Sequence, residues 1–171
     1  MFVSIRRSCI TESVRKTYMP RERKGIRMKV ILFNGSPHRE GCTNAALQEV
    51  AATLAQSGID TETIWVGKDP VQGCLACGGC RQNKKCMAED TVNEWADKIA
   101  EADGLVIGSP VYYASMTGTL KAVLDRLFFS SSRRFYGKVG AAVVNARRGG
   151  CTAAFDDINK YFTITCYKSM T

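Results

Sequence analysis

Histidine occurs once, at His38, and no carboxylate or cysteine stands at a meaningful spacing from it, so a histidine-based catalytic triad is not expected. No stretch approaches the roughly 20 consecutive apolar residues that span a bilayer, and membrane insertion is not expected. Nor does the amino-terminal region hold the apolar segment of about 7–15 residues that marks a secretory signal. No pair of carboxylates stands out as an acid–base couple. Acidic residues are scarce at one end: residues 1–27 hold only Glu12 and Glu22, against Arg6, Arg7, Arg15, Lys16, Arg21, Arg23, Lys24 and Arg27. Most of the formal net charge of +8 sits in that arm, and the body beyond it is nearly neutral. The basic balance is therefore poor evidence for nucleic acid, no nucleic-acid motif accompanies it, and no such partner is expected.

What remains is an ordinary globular composition, 45% hydrophobic and 23% charged over 171 residues. Those proportions exclude a disordered or fibrous chain. A single domain of this length buries roughly 70% of its unfolded surface and needs no covalent staple to hold a core. The arm shows neither helical nor strand periodicity. It reads as a basic tail, as an Arg-rich organellar transit peptide, or as residues upstream of the natural start. The third reading is preferred: Met28 is the expected functional start, residues 1–27 a disordered arm or leader outside the fold, and the location cytoplasmic.

From Met28 two kinds of apolar pattern alternate. Val30-Ile31-Leu32-Phe33 is a short continuous run ended by Asn34-Gly35, as in a strand buried on both faces. Leu47, Val50, Ala51 and Leu54 follow helical spacing, closed by Gly58. Thr61 to Val66 predicts a second strand, and residues 67–90 a Gly- and Cys-rich connection. Val92, Trp95, Ala96 and Ile99 form the next helical stripe, with Asp90 or Thr91 as its N-cap and Trp95 in the core. Leu105-Val106-Ile107 predicts strand three. Leu120, Val123, Leu124 and Leu127 predict a helix capped by Ser115 or Thr117. Val139 to Val144 predicts strand four, and Phe155, Ile158 and Phe162 a final helix. Four alternations of strand and helix imply βαβ units, a parallel sheet and helices on both faces. A doubly wound sheet of order 2-1-3-4-5 needs a fifth strand after residue 162, and only Thr163 to Thr171 remain. The expectation is an α/β sheet of order 2-1-3-4 over residues 28–171, shortened at its carboxyl end, with strand four as an open edge.

Two loops carry chemistry. Strand one runs into Asn34-Gly35-Ser36-Pro37-His38-Arg39-Glu40-Gly41-Cys42-Thr43-Asn44 and then a helix. Such a loop presents backbone N–H groups and the positive end of a helix dipole to an anion. The glycine spacing fits neither a Walker A loop nor G-x-G-x-x-G. The alternative is an ordinary turn whose Ser and Thr only cap the helix. Strand three ends in Gly108-Ser109-Pro110-Val111-Tyr112-Tyr113-Ala114-Ser115-Met116-Thr117-Gly118. Two tyrosines and small residues at the sheet's carboxyl edge, beside an anion loop, suit a planar ring joined to a phosphate.

GSPHREGCTN followed by GSPVYYASMTGTLKAVLDR resembles the flavodoxin-like NAD(P)H-dependent FMN reductases, a group that includes the iron–sulfur flavoproteins. The resemblance covers about residues 28–162. It implies a flavodoxin-like fold holding FMN non-covalently. By matching positions, Ser36, His38, Thr43 and Asn44 would cradle the phosphate, and Pro110, Val111, Tyr112, Tyr113 and Ala114 would border the isoalloxazine. The loop Ala146-Arg147-Arg148-Gly149 would approach the ring's far edge, with Arg147 and Gly149 as contacts and an arginine able to stabilise negative charge on reduced flavin. Family members continue through a fifth strand, where this chain departs, and they suggest a homo-oligomer for a chain with a complete carboxyl end.

Cys74, Cys77, Cys80 and Cys86 form C-x2-C-x2-C-x5-C on a loop containing Gly73, Gly78 and Gly79. With no secretory signal, structural disulfides are not expected. Thiolates at this spacing can converge on one polynuclear site. The first three follow a ferredoxin-type 4Fe–4S run, and the whole resembles the compact motif of the iron–sulfur flavoproteins. Zinc, or no ligand at all, is the alternative. Cys9, Cys42, Cys151 and Cys166 are scattered, with Cys42 at a helix start. The expected function is an FMN-dependent oxidoreductase taking electrons from NAD(P)H to a small-molecule or protein acceptor, with no dedicated catalytic side chain. The alternatives are an iron–sulfur flavoprotein acting as electron carrier, a zinc or thiol redox-sensing module, and a non-functional shortened copy.

Overall fold

The computed structural model describes residues 27–165; the arm before Arg27, Cys9, and the tail beyond Thr165 with Cys166 lie outside the described residues. Nine elements follow in order: β1 (Lys29–Asn34), α1 (Cys42–Gln56), β2 (Asp60–Trp65), α2 (Cys80–Asn83), α3 (Thr91–Glu101), β3 (Gly104–Pro110), α4 (Gly118–Phe135), β4 (Val139–Asn145) and α5 (Cys151–Thr165). The four strands form one parallel sheet in the order β2-β1-β3-β4. Every strand and long helix expected from the periodicity is present, and the short α2 inside the cysteine-rich connection is an addition.

Strand β1 sits between two parallel neighbours, with Phe33 registered against Ile64 on one side and Ile107 on the other. Its side chains alternate between two cores, which is why the run is apolar without interruption. Leu32 joins Leu47 of α1 and Val106 on one face. Ile31 and Phe33 face the larger cluster built with Val92, Trp95 and Ile99 of α3, Leu120, Leu124 and Leu127 of α4, and Ile158 and Phe162 of α5. Phe33 meets the Trp95 ring edge-on at 5.5 Å and 86°, a favourable aromatic geometry. Phe128 does the same for Phe135 and Phe162 at the far end of α4.

The helix starts differ in a way that matters for the site. Asp90 caps α3 by accepting from the Val92 amide at 3.1 Å, and Thr117 caps α4 by accepting from Leu120 at 3.3 Å. Helix α1 instead begins after Gly41, which offers no side-chain cap. Close approach of α1 to the sheet depends on Gly108: a Cβ there would lie 2.8 Å from Leu47 Cδ1 and 2.9 Å from Thr43 Cγ2. The chain order places β2 and β3 on opposite sides of β1, so the loops after β1 and β3 open a crevice at the carboxyl edge. Ligands of open α/β sheets bind at that position.

Candidate functional site

The loop after β1 is fixed from three directions. Asn34 Oδ1 accepts the Ser36 amide at 3.0 Å, and Ser36 Oγ accepts the His38 amide at 3.1 Å. The Gly35 amide donates to the Gly108 carbonyl at 2.8 Å, and the Gly35 carbonyl accepts the Thr117 hydroxyl at 2.8 Å. From β2 the Trp65 indole N–H donates to the Ser36 carbonyl at 2.8 Å, and Arg39 lies over its ring at 5.6 Å.

Within this frame neither predicted hydroxyl caps α1. Ser36 turns to His38, while Thr43, buried at 1% exposure, donates to Asn145 Oδ1 at 2.6 Å. Among the described residues, the amides of Arg39, Glu40, Cys42, Thr43 and Asn44 have no hydrogen-bond acceptor. Unfilled donors at a helix start, backed by the helix dipole, are a donor set able to accept an anion. Neither Ser36 nor Thr43 caps α1, so the donors that a cap would have used are free. His38 lies exposed at the lip, and Asn44 is half-buried in the first turn of α1.

The loop after β3 is a tight turn. Tyr112 and Ser115 exchange backbone hydrogen bonds at 2.9 and 3.0 Å, with Tyr113 at φ 47° and Ala114 at φ 59° between them. Two successive left-handed residues that are not glycine are costly, and such strain gathers at functional sites. The turn is held by its neighbours. Ser115 Oγ donates to Asp157 Oδ2 of α5 at 2.7 Å, and Gly150 backs directly onto Ala114. Asp157 is kept below the usual carboxylate range, first by Lys160 and then by that serine hydroxyl. Tyr113 is fully exposed and Tyr112 about half so, both at the crevice mouth; Val111 is half-buried and its amide donates to the Asn145 carbonyl at 2.9 Å.

Asn145, the last residue of β4, thus ties the two loops together, its side chain to Thr43 and its carbonyl to Val111. It was not among the predicted residues, and neither was Trp65, the last residue of β2. The available signal was positional: each ends a strand at the same edge as Asn34 and Pro110. Arg147, Arg148 and Gly149 lie exposed on the loop that follows Asn145. The structure therefore brings Ser36, His38, Thr43, Asn44, Pro110, Val111, Tyr112, Tyr113, Ala114, Arg147 and Gly149 to one edge of the sheet, on the first turn of α1, the end of β3 and three adjacent loops.

The cysteine loop lies elsewhere, between β2 and α3 and against α4. Cys74, Cys77, Cys80 and Cys86 line one cavity of about 260 Å³ with Arg126 and Phe129. Cys74 and Cys77 are exposed, Cys80 and Cys86 half-buried, and none is in a disulfide. Among the described residues, no three histidine, cysteine or carboxylate side chains are gathered into a metal-ligating group. Arg126, whose side chain is 1% exposed, pairs with Asp90 through two bonds of 2.5 and 2.7 Å. That pairing holds the Asp90 carboxyl below its ordinary range and the guanidinium above its own.

Residues 28–167 match the family described as NADPH-dependent FMN reductase. An iron–sulfur flavoprotein of Methanocaldococcus jannaschii is 36% identical over 140 residues, covering 80% of this chain and 72% of that protein. The structure of RosB with bound 8-demethyl-8-formylriboflavin-5'-phosphate superposes with a TM-score of 0.66 at 20% identity, covering 84% of this chain and 61% of RosB. A flavodoxin from the Archaea gives 0.57 at 19% identity over 84% of this chain and 77% of the flavodoxin. At these identities the two structures speak for the flavodoxin-like fold. Among the described residues no helix is long and apolar enough to cross a membrane.

Proposed function

The chain belongs to the NADPH-dependent FMN reductase family, a family of flavin oxidoreductases, and from that premise we propose that it uses FMN to move reducing equivalents from NAD(P)H to a small-molecule or protein acceptor. The observation that carries the reading is the uncapped start of α1, whose free amides face the same crevice as the strained Tyr113–Ala114 turn. A phosphate monoester fits the first and a planar ring the second. The donor set thus fits FMN without any side-chain charge at the phosphate.

In this reading Ser36, His38, Thr43 and Asn44 hold the phosphate end, and the amides of Arg39, Glu40, Cys42, Thr43 and Asn44 supply most of the donors. Pro110 to Ala114 border the ring. Arg147 and Gly149 flank its far edge, where the exposed guanidinium favours an electron-rich ring. Asn145 keeps the loops at fixed separation, and Trp65 fixes the phosphate loop from the other side. Bound FMN supplies the two-electron chemistry, so the protein's part is position and electrostatics. The test is anaerobic mixing of FMN-loaded protein with NADPH and, separately, NADH. Rapid loss of the oxidised flavin absorption with either nucleotide is expected. Flavin that stays oxidised with both would overturn the reductase reading.

A second reading, an iron–sulfur flavoprotein that carries electrons, is favoured by the cysteine cavity. Four thiols on a glycine-bearing loop around one small space are a soft donor set suited to an iron–sulfur cluster, and Cys74, Cys77, Cys80 and Cys86 would be its ligands. The name of the Methanocaldococcus relative, an iron–sulfur flavoprotein, supports the same assignment. Iron and sulfide in stoichiometric amount in anaerobically isolated protein would support it. Zinc without flavin would favour a thiol-based sensing module instead.

A further inference from the structure

Arg126 stands out among the charged residues because it is fully buried within an apolar stripe of α4, between Val123, Leu124 and Leu127. Its guanidinium reaches three separate points of the cysteine loop. Nη1 donates to the Gln72 carbonyl at 3.2 Å, where the loop begins. Nε donates to Cys86 Sγ at 3.2 Å, where the cysteine run ends. Nη1 and Nη2 grip Asp90, the N-cap of α3, which follows the loop. Cys86 is held from the other side by Asn93, which accepts its amide and donates to its carbonyl, both at 2.9 Å.

A buried ion pair is weak evidence for stability, because an apolar pair of similar volume often does as well. Capping α3 needs only one oxygen, which a serine would supply. The feature that stability leaves unexplained is the donor aimed at sulfur. A neutral thiol is a feeble acceptor, whereas a metal-bound thiolate makes a charge-assisted bond with a guanidinium. Cys74, Cys77, Cys80 and Cys86 share their cavity with this one buried cation.

We propose that Arg126 is the positioning residue of the four-cysteine cavity, joining the ends of its loop and supplying the positive charge that an anionic metal–thiolate centre needs at Cys86. The proposal rests on the reading that these cysteines hold a metal centre. It assigns opposite electrostatic roles to two partners of one ion pair. Charge and hydrogen bonds at the sulfurs set the potential of such a centre, so removing Arg126 lowers the potential and removing the charge of Asp90 raises it.

The test uses the full chain, loaded with FMN and reconstituted anaerobically with ferrous iron and sulfide, as wild type, Arg126→Gln, Arg126→Lys and Asp90→Asn. Bound iron is titrated against a chelator, and the midpoint potential is read by spectroelectrochemistry. Arg126→Gln should weaken iron retention by roughly 10–100-fold, as loss of a partner to a metal ligand does, and shift the potential down. Asp90→Asn keeps the cap, should retain iron, and should shift the potential up. Wild-type retention and potential in Arg126→Gln, or shifts of the same sign in both variants, would overturn the proposal. If Arg126→Gln does not fold, Arg126→Lys and Asp90→Asn carry the test, and a potential unmoved by Asp90→Asn overturns it. Wild-type protein that takes up FMN but no iron overturns the cluster reading and this proposal together, and leaves the flavin reading standing.

Discussion

Gly150 joins a positive φ to a crowded position, and the two costs can be separated by experiment. Its φ is 90°, and a Cβ there would lie 2.8 Å from Ala114 Cα and 3.1 Å from both Ala114 Cβ and Val111 Cγ1. Gly137 has a similar φ of 79° with nothing within 4 Å of the added atom, and Gly118 has open space and an ordinary backbone. Gly137→Ala should therefore cost only the left-handed strain, about 1–2 kcal/mol. Gly150→Ala adds overpacking against backbone, about 1–3 kcal/mol more, for a total of about 2–5 kcal/mol. Gly118→Ala, in the first turn of α4, should be neutral or slightly stabilising. In a domain of this size the Gly150 variant should melt lower than wild type by about 5–15 °C. Urea denaturation followed by tryptophan fluorescence reads the stabilities, and FMN titration reads the site. Because the clash falls on Ala114 and Val111, FMN affinity should drop for Gly150→Ala and stay unchanged for Gly137→Ala. Equal destabilisation by the two alanines would show that the contact with the Tyr113–Ala114 turn is not real, and the geometry proposed for the ring would fall with it.

Three further outcomes follow from the same contacts. Thr43→Val keeps the shape but removes the donor to the half-buried Asn145 Oδ1, so it should cost about 1 kcal/mol in urea denaturation and weaken FMN binding. Phe33→Ala removes a fully buried ring between two strands and Trp95, and should cost about 3–5 kcal/mol in the same assay. Glu62, paired first with Lys29 and then Lys98, and Asp90, paired with Arg126, both have folded pKa values below their ordinary ones. Their stabilisation is therefore complete above about pH 5 and lost as pH falls below it. Asp90→Asn should flatten the acid limb of the stability curve below that pH, and a limb of unchanged slope would contradict the assignment.

The fold was readable because burial on two faces leaves a strong trace: Ile31, Leu32 and Phe33 are all fully buried, and the run is apolar without a break. Asp90 and Thr117 cap their helices, as their place before an apolar stripe indicated. Helix α4 runs on to Phe135, past the stripe that ended at Leu127, because Phe128, Ser131 and Phe135 continue the buried face. The two loops were legible as strings of small, hydroxyl and aromatic residues. What ties them together was not. Asn145 meets Thr43 across 102 residues, and one polar residue at a strand end has no periodicity to betray it. Arg126 was hidden for a related reason. In sequence it is a charged residue on an amphipathic helix, and it becomes buried only when the cysteine loop, 54 residues earlier at Gln72, folds back over α4. The cysteine spacing itself was visible, and the cavity that all four line is a property of the folded chain.

The claim on which the account turns is that the free amides at the start of α1 bind a phosphate joined to a flavin. Parallel titrations of the flavin-free protein with FMN and with riboflavin, followed by flavin fluorescence, test it most directly. The two ligands differ only in the phosphate. FMN should bind at least 100-fold more tightly, and inorganic phosphate should compete with FMN at the crevice. Equal affinity for FMN and riboflavin would contradict the assignment of that loop, and no binding of either would contradict the flavin site as a whole.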